Sequence, residues 1–145
     1  MLELRILDPE TDLDLFKEAY NWLPKYRKRL QPDRASFETF SAPDPKQMVV
    51  GLFNGSLQAV YVTYEFEPAR FDTHYTSKRS APKESVIWGA REILGILLEG
   101  GAEEVVAFVS PANEPLCRFV EAIGFQDPKE YEVEGRTFLR YTAKT

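Results

Sequence analysis

The chain has 145 residues, 43% apolar and 28% charged, the balance of one soluble globular domain spanning 1–145. At this length a folded chain hides roughly 68–70% of its unfolded surface, enough for a single core. A net charge of −5 argues against general nucleic-acid binding, and one cysteine (Cys117) with one histidine (His74) excludes an internal disulfide, a cysteine-built zinc site and a multi-histidine metal centre.

Other function classes fall away on spacing. The glycines stand at 51, 55, 89, 95, 100, 101, 124 and 135, and form neither G-x-G-x-x-G nor G-K-[ST]. No apolar run is long enough to cross a bilayer, so no membrane partner is expected. The opening MLELRILDPETD carries charges where a signal peptide needs an apolar core. A reducing, cytoplasmic setting is the default expectation.

In chain order, Leu2, Leu4 and Ile6 alternate with Glu3 and Arg5, the period of a half-buried strand. Thr11-Asp12-Leu13-Asp14 reads as a capping box with Asp in place of Glu, ahead of a helix whose apolar positions are Leu15, Phe16, Ala19, Tyr20 and Leu23. Pro24 ends or turns it, Lys25–Leu30 reads as a second short helix, and 31–46, with Pro32, Pro43 and Pro45, as a long loop. Met48–Phe53 and Leu57–Phe66 form a hairpin about Asn54-Gly55, a pair that tolerates positive φ at both centres. Pro68 breaks the second arm. Arg70–Thr76 is a fourth strand with Phe71, Thr73 and Tyr75 on one side and Asp72, His74 and Thr76 on the other.

Pro82 opens a helix with the stripe Val86, Ile87, Ala90, Ile93, Leu94 and Leu97, stopped by Gly100-Gly101. Val105–Val109 is apolar on both faces, as a central strand between helices should be. Leu116, Phe119, Val120 and Ile123 mark another helix, ended by Gly124, and a hairpin about Glu134-Gly135 closes the chain. This order implies a mixed α/β domain in which strand 4 (70–76), a helix and strand 5 (105–109) make one right-handed parallel crossover.

That element order, together with Asn113-Glu114-Pro115-Leu116-Cys117-Arg118-Phe119-Val120-Glu121-Ala122-Ile123-Gly124-Phe125, resembles the GNAT superfamily of acyl-CoA-dependent N-acyltransferases over nearly the whole chain. Many members have a similar Asn eleven residues before a Gly-Phe pair. The resemblance implies a single-domain α/β fold, a GNAT-like mixed sheet splayed between strands 4 and 5 with flanking helices. It also implies acetyl-CoA or CoA as cofactor and a small-molecule or peptide amine as acceptor.

The sequence departs from the family pattern in two places. Members usually carry [RQ]-x-x-G-x-[GA] before the helix after strand 4, where backbone N–H groups hold the CoA pyrophosphate. Here the stretch is Thr76-Ser77-Lys78-Arg79-Ser80-Ala81-Pro82-Lys83, without glycine, and Pro82 removes a donor. Lys78, Arg79 and Lys83 bring positive charge to the helix N-terminus instead, which favours an anion. The cofactor contacts implied are Thr76, Ser77, Lys78, Arg79, Ser80, Ala81, Lys83 and Asn113, with Thr76 and Ser77 backbone groups polarising the thioester. Secondly, where many members place an acid Tyr seven residues after the Asn, this chain has Val120.

For the base that must take the amine's proton, the candidates are His74 near the end of strand 4, whose residue type suits neutral pH, and Glu65 or Glu67 at the end of strand 3. Tyr64 and Tyr75 are either further proton donors or packing residues on the sheet. Lys25-Tyr26-Arg27-Lys28-Arg29 is either a solvated face or a contact with an acidic acceptor. Two functions stay open: an N-acyltransferase, or a non-catalytic protein on the same fold. In favour of the second, Arg118–Gly124 followed by Tyr131 is similar to small internal virion proteins of short-tailed phages, which would imply a virion-associated rather than cytoplasmic setting.

Overall fold

The computed structural model describes residues 1–8, 10–22 and 47–144. Its strands are β1 (Glu3–Ile6), β2 (Gln47–Asn54), β3 (Ser56–Glu67), β4 (Arg70–Ser77), β5 (Glu104–Val109), β6 (Gln126–Val133) and β7 (Arg136–Ala143). The helices are α1 (Leu13–Asn21), α2 (Lys83–Glu99) and α3 (Glu114–Ile123). The segments expected at Pro24, Lys25–Leu30 and 31–46, and the Lys25–Arg29 charge run, lie outside the described residues.

All strands join one sheet in the order β1-β2-β3-β4-β5-β7-β6. Neighbours are antiparallel except β4 and β5, which the α2 crossover makes parallel, as the sequence predicts. The β4–β5 pairing is short: Arg70 with Glu104, Phe71 with Val105 and Asp72 with Val106. Beyond that point each strand follows its other neighbour. β4 stays paired to β3 as far as Ser77, and β5 to β7 as far as Val109. With the usual strand twist the two half-sheets diverge, and a gap opens from Thr73 and Ala107 onward. At the paired end Glu104 of β5 accepts from Arg140 of β7 at 2.9 Å and lies 4.0 Å from the Arg70 guanidinium of β4.

One face of the sheet packs on α2 and α3 through Tyr61, Val86, Leu94, Val105, Phe119 and Tyr141. The other carries a smaller cluster of Leu7, Val49, Leu57 and Val60 against Leu15, Phe16, Ala19 and Trp22 of the α1 region. The α2 helix sits unusually close to the sheet. A Cβ on Gly89 would stand 2.5 Å from the Tyr61 hydroxyl, which donates to the Val86 carbonyl at 2.6 Å. Gly124, at φ 128, ends α3 in a conformation L side chains avoid and delivers Phe125 into the core.

Local expectations fail in four places. The capping box before α1 does not form: the Asp12 carboxylate accepts from Asp8 N–H at 2.8 Å and from Arg5, while Asp8 takes the N–H groups of Glu10 and Thr11. Those local bonds hold the Asp12 carboxyl below the usual range, the Asp8 N–H most of all. Ile6 is 65% exposed and Leu7 is buried instead, because the strand period ends at Ile6 on a sheet edge. Only Gly55 of the Asn54-Gly55 pair takes positive φ. Finally, β6 starts at Gln126 rather than Tyr131, since an irregularity at Asp127, with φ 54, absorbs Pro128 and lets pairing resume at Lys129.

Candidate functional site

β4 has two working faces. Its register with β3 sets Phe71, Thr73, Tyr75 and Ser77 toward α2 and α3, and Asp72, His74 and Thr76 toward the α1 side. On the first face lies a cleft of about 340 Å³ between the end of β4, the 78–82 loop and the N-termini of α2 and α3. Of the residues expected to hold a cofactor, Ser77, Lys78, Arg79, Ala81, Lys83 and Asn113 line it. Thr76 points to the opposite face, and Ser80 is exposed outside the lining.

The loop spends part of its hydrogen-bonding capacity on itself. Lys78 N–H donates to the Gln58 carbonyl at 2.9 Å and Ala81 N–H to the Lys78 carbonyl at 3.2 Å. Those two groups are therefore not free to cradle a ligand. The α2 N-terminus offers replacements. Pro82 caps it without a side-chain bond, and its carbonyl accepts from Ser85 and Val86, so the Lys83 and Glu84 N–H groups have no acceptor among the described residues.

The cations also divide. The Lys78 ammonium lies 3.5 Å from Glu18 of α1 and 3.5 Å from the Ser56 hydroxyl. Arg79 and Lys83 have no ion pair among the described residues and stand exposed at the cleft rim. Such a set, two free guanidinium or ammonium groups beside unpaired first-turn N–H groups, fits a phosphate or diphosphate. On the far wall, Asn113 caps α3 by accepting from Leu116 N–H at 3.2 Å, which leaves its amide NH₂ for a polar ligand group.

The floor is aromatic. The Tyr75 ring stacks on Phe119 of α3 at 4.4 Å and 14°, and on its other side approaches Tyr61 at 6.5 Å. Val120, at the position where the resemblance would have an acid Tyr, is buried in the core, and Cys117 is half-buried with its thiol directed at the Ser110 carbonyl at 3.9 Å.

On the opposite face, His74 is about half exposed and its Nε2 lies 3.7 Å from Asp72 Oδ1. Asp72 is the last residue of β4 paired to β5, so this acid sits where the strands part. Its Oδ1 is buried and accepts no hydrogen bond among the described residues. Burial raises the Asp72 pKa, and His74 partly opposes that rise. The sequence reasoning missed Asp72. The available signal was an acid two residues from the only His on the same strand face. Its burial depends on partners that the local sequence does not show. Glu65 is not brought to this group. It pairs with Phe71 at the other end of β4, and its carboxylate accepts from Ala69 N–H at 3.1 Å, steadying the β3–β4 turn where Ala69 has φ 63.

No family model and no curated protein matches the sequence. Solved structures match its shape over almost the full chain. The aminoglycoside acetyltransferase AAC(6')-Ib in complex with coenzyme A aligns with a TM-score of 0.78 at 14% identity, covering 99% of this chain and 95% of that one. A spermidine N-acetyltransferase SpeG chimera from Vibrio cholerae and hSSAT gives 0.77 at 15%, covering 99% and 95%. The GNAT domain of S. lividans PAT gives 0.76 at 16%, covering 99% and 90%. The fold is that of the GNAT superfamily. In this chain, no cluster of metal-binding side chains occurs among the described residues, and no described helix is long and apolar enough to cross a membrane.

Proposed function

We propose that the protein is an acyl-CoA-dependent N-acyltransferase acting on an amine that approaches from the α1 side of the sheet. The observation that carries this reading is that one strand presents two groups on its two faces: a cation-rimmed cleft on one side of β4, and an acid–imidazole pair on the other, where β4 leaves β5. AAC(6')-Ib and SpeG, named for aminoglycoside and spermidine acetylation, support a polyamine-like small molecule as one acceptor class.

In this reading Arg79, Lys83 and the first-turn N–H groups of α2 hold the diphosphate of the donor, and the Asn113 amide holds its polar arm. The bound donor supplies an electrophilic thioester carbonyl. Beyond Asp72 no pair forms between β4 and β5, so in this reading the backbone of β4 that faces the gap polarises that carbonyl. His74, paired with Asp72, takes the proton of the incoming ammonium directly or through water. The C–N bond forms as the C–S bond breaks; the acylated nitrogen gives up its remaining surplus proton to solvent, and the thiolate takes one from solvent. A thiol with a pKa near 8.5 makes that last step only modestly costly near pH 8.

The test is thiol release from acetyl-CoA over a panel of amines, with melting curves in parallel. A donor at 100 times its dissociation constant should add about 2.7 kcal/mol of stability. His74→Ala and Asp72→Asn should each lower kcat by roughly 100-fold with little change in KM for acetyl-CoA. Asp72→Asn has a second, opposite signature. Because the folded pKa of Asp72 is raised, the associated stability is fully present below the unfolded value near 3.9 and is lost as pH rises through the folded value. The Asn variant escapes that loss, so it should melt above wild type at pH 7–8, and the difference should vanish in acid. Stabilisation by donor without thiol release from any amine would favour the non-catalytic assembly role on this fold.

A further inference from the structure

The cleft ends abruptly, and what ends it is a pair of rings. Along one face of β4, Ser77 stands at the mouth, Tyr75 at the floor and Thr73 at the parting of the strands, where its hydroxyl reaches the Val106 carbonyl at 3.5 Å. Successive members of this series are about 7 Å apart. The cleft includes Ser77 and Tyr75 but neither Thr73 nor Ala107. Between them, the Tyr75 ring lies nearly flat on Phe119, whose helix α3 packs over β5. The ring pair therefore bridges from β4 to the β5 half of the sheet and bars the inner part of the gap. Two further contacts stiffen the bar. Tyr61 backs Tyr75 from β3 and anchors its own hydroxyl on Val86 of α2, and Phe119 is 4% exposed in the main core.

Resting on the acyl-CoA reading above, we propose that the Tyr75–Phe119 pair is the stop that limits the acyl chain the cleft accepts. A donor lies with its phosphates at Arg79 and Lys83 and its acyl end against the rings. An acetyl group ends there. A longer chain meets two packed aromatic faces and has nowhere to go, since a core of this density gives way only with strain. Removing either ring extends the cleft inward toward Thr73, into apolar surroundings provided by Val105, Ala107 and Val109, which reward each added methylene.

Calorimetric titration of the full chain with CoA, acetyl-CoA and hexanoyl-CoA tests this without turnover. Wild type should bind acetyl-CoA at least ~10-fold more tightly than hexanoyl-CoA. Tyr75→Ala and Phe119→Leu, made separately and checked for folding by circular dichroism, should each shrink that ratio below about 3-fold or reverse it. Tyr75→Phe, which keeps the ring, should retain the wild-type ratio. Free CoA should bind all variants alike, because the stop meets only the acyl end. Equal affinity of wild type for both acyl donors, or an unchanged ratio in both truncated variants, overturns the stop while leaving the donor site standing. Absence of CoA binding to wild type at millimolar concentration overturns the donor reading itself, and the stop with it.

Discussion

Two helix N-termini meet at the cleft, and they are built in opposite ways. The α3 terminus is nearly closed: Asn113 caps Leu116 N–H with its side chain, its own N–H donates to Ser110 and its carbonyl accepts from Cys117, so that of the first-turn N–H groups Glu114 alone lacks an acceptor among the described residues. The α2 terminus stays open, with a proline cap, two first-turn N–H groups lacking acceptors and two cations lacking counter-ions among the described residues. A closed terminus is a structural element that can lend one spare donor. An open one keeps positive potential that favours an anion, with Glu84 of the first turn offsetting part of it. On the proposed acyl-CoA reading, the difference would put affinity chiefly at α2 and stability chiefly at α3.

The sharpest way to break that division is charge. Arg79→Glu with Lys83→Glu should weaken CoA binding by roughly 100-fold or more, since each charge-assisted contact contributes about 1.5–3 kcal/mol, with the melting temperature nearly unchanged. A double variant with normal CoA affinity in calorimetry would place the anion elsewhere. Next in size is Gly89→Ala, which should cost about 1–3 kcal/mol in denaturant titration because its methyl enters the Tyr61 hydroxyl. It should also loosen CoA binding by shifting the α2 terminus, whereas an equally destabilising change under α3 should not. The smallest effect belongs to the closed terminus. Asn113→Ala should cost about 1 kcal/mol, a drop of roughly 2–4 °C in a thermal scan, and lower CoA affinity by only a few-fold. A larger effect on affinity than on stability would make Asn113 a ligand contact first and a cap second.

The sheet was legible from residues because its signals are local. Period-two runs, Asn54-Gly55, Pro68 and Glu134-Gly135 place the strands, and the stripe from Val86 to Leu97 places α2. The cleft was half legible. The run Ser77–Lys83 marks where positive charge gathers, yet Lys78 turns out to be engaged with Glu18, a residue sixty positions earlier. His74 was visible as the only histidine, but Asp72 was not visible as its buried neighbour.

Hydrophobic period, turn chemistry and charge act over a few residues, and they suffice to place most of the described elements, the parallel crossover and the chemical character of the loop before α2. Only the tertiary structure decided which loop N–H groups remain free, which acid is buried at the parting of β4 and β5, and which rings close the cleft. Each of those rests on partners distant in the chain: Gln58 with Lys78, Asp72 with Val106, and Tyr75 with Phe119. Desolvation, register and ring packing are properties of what surrounds a residue, and chain neighbours do not specify the surroundings.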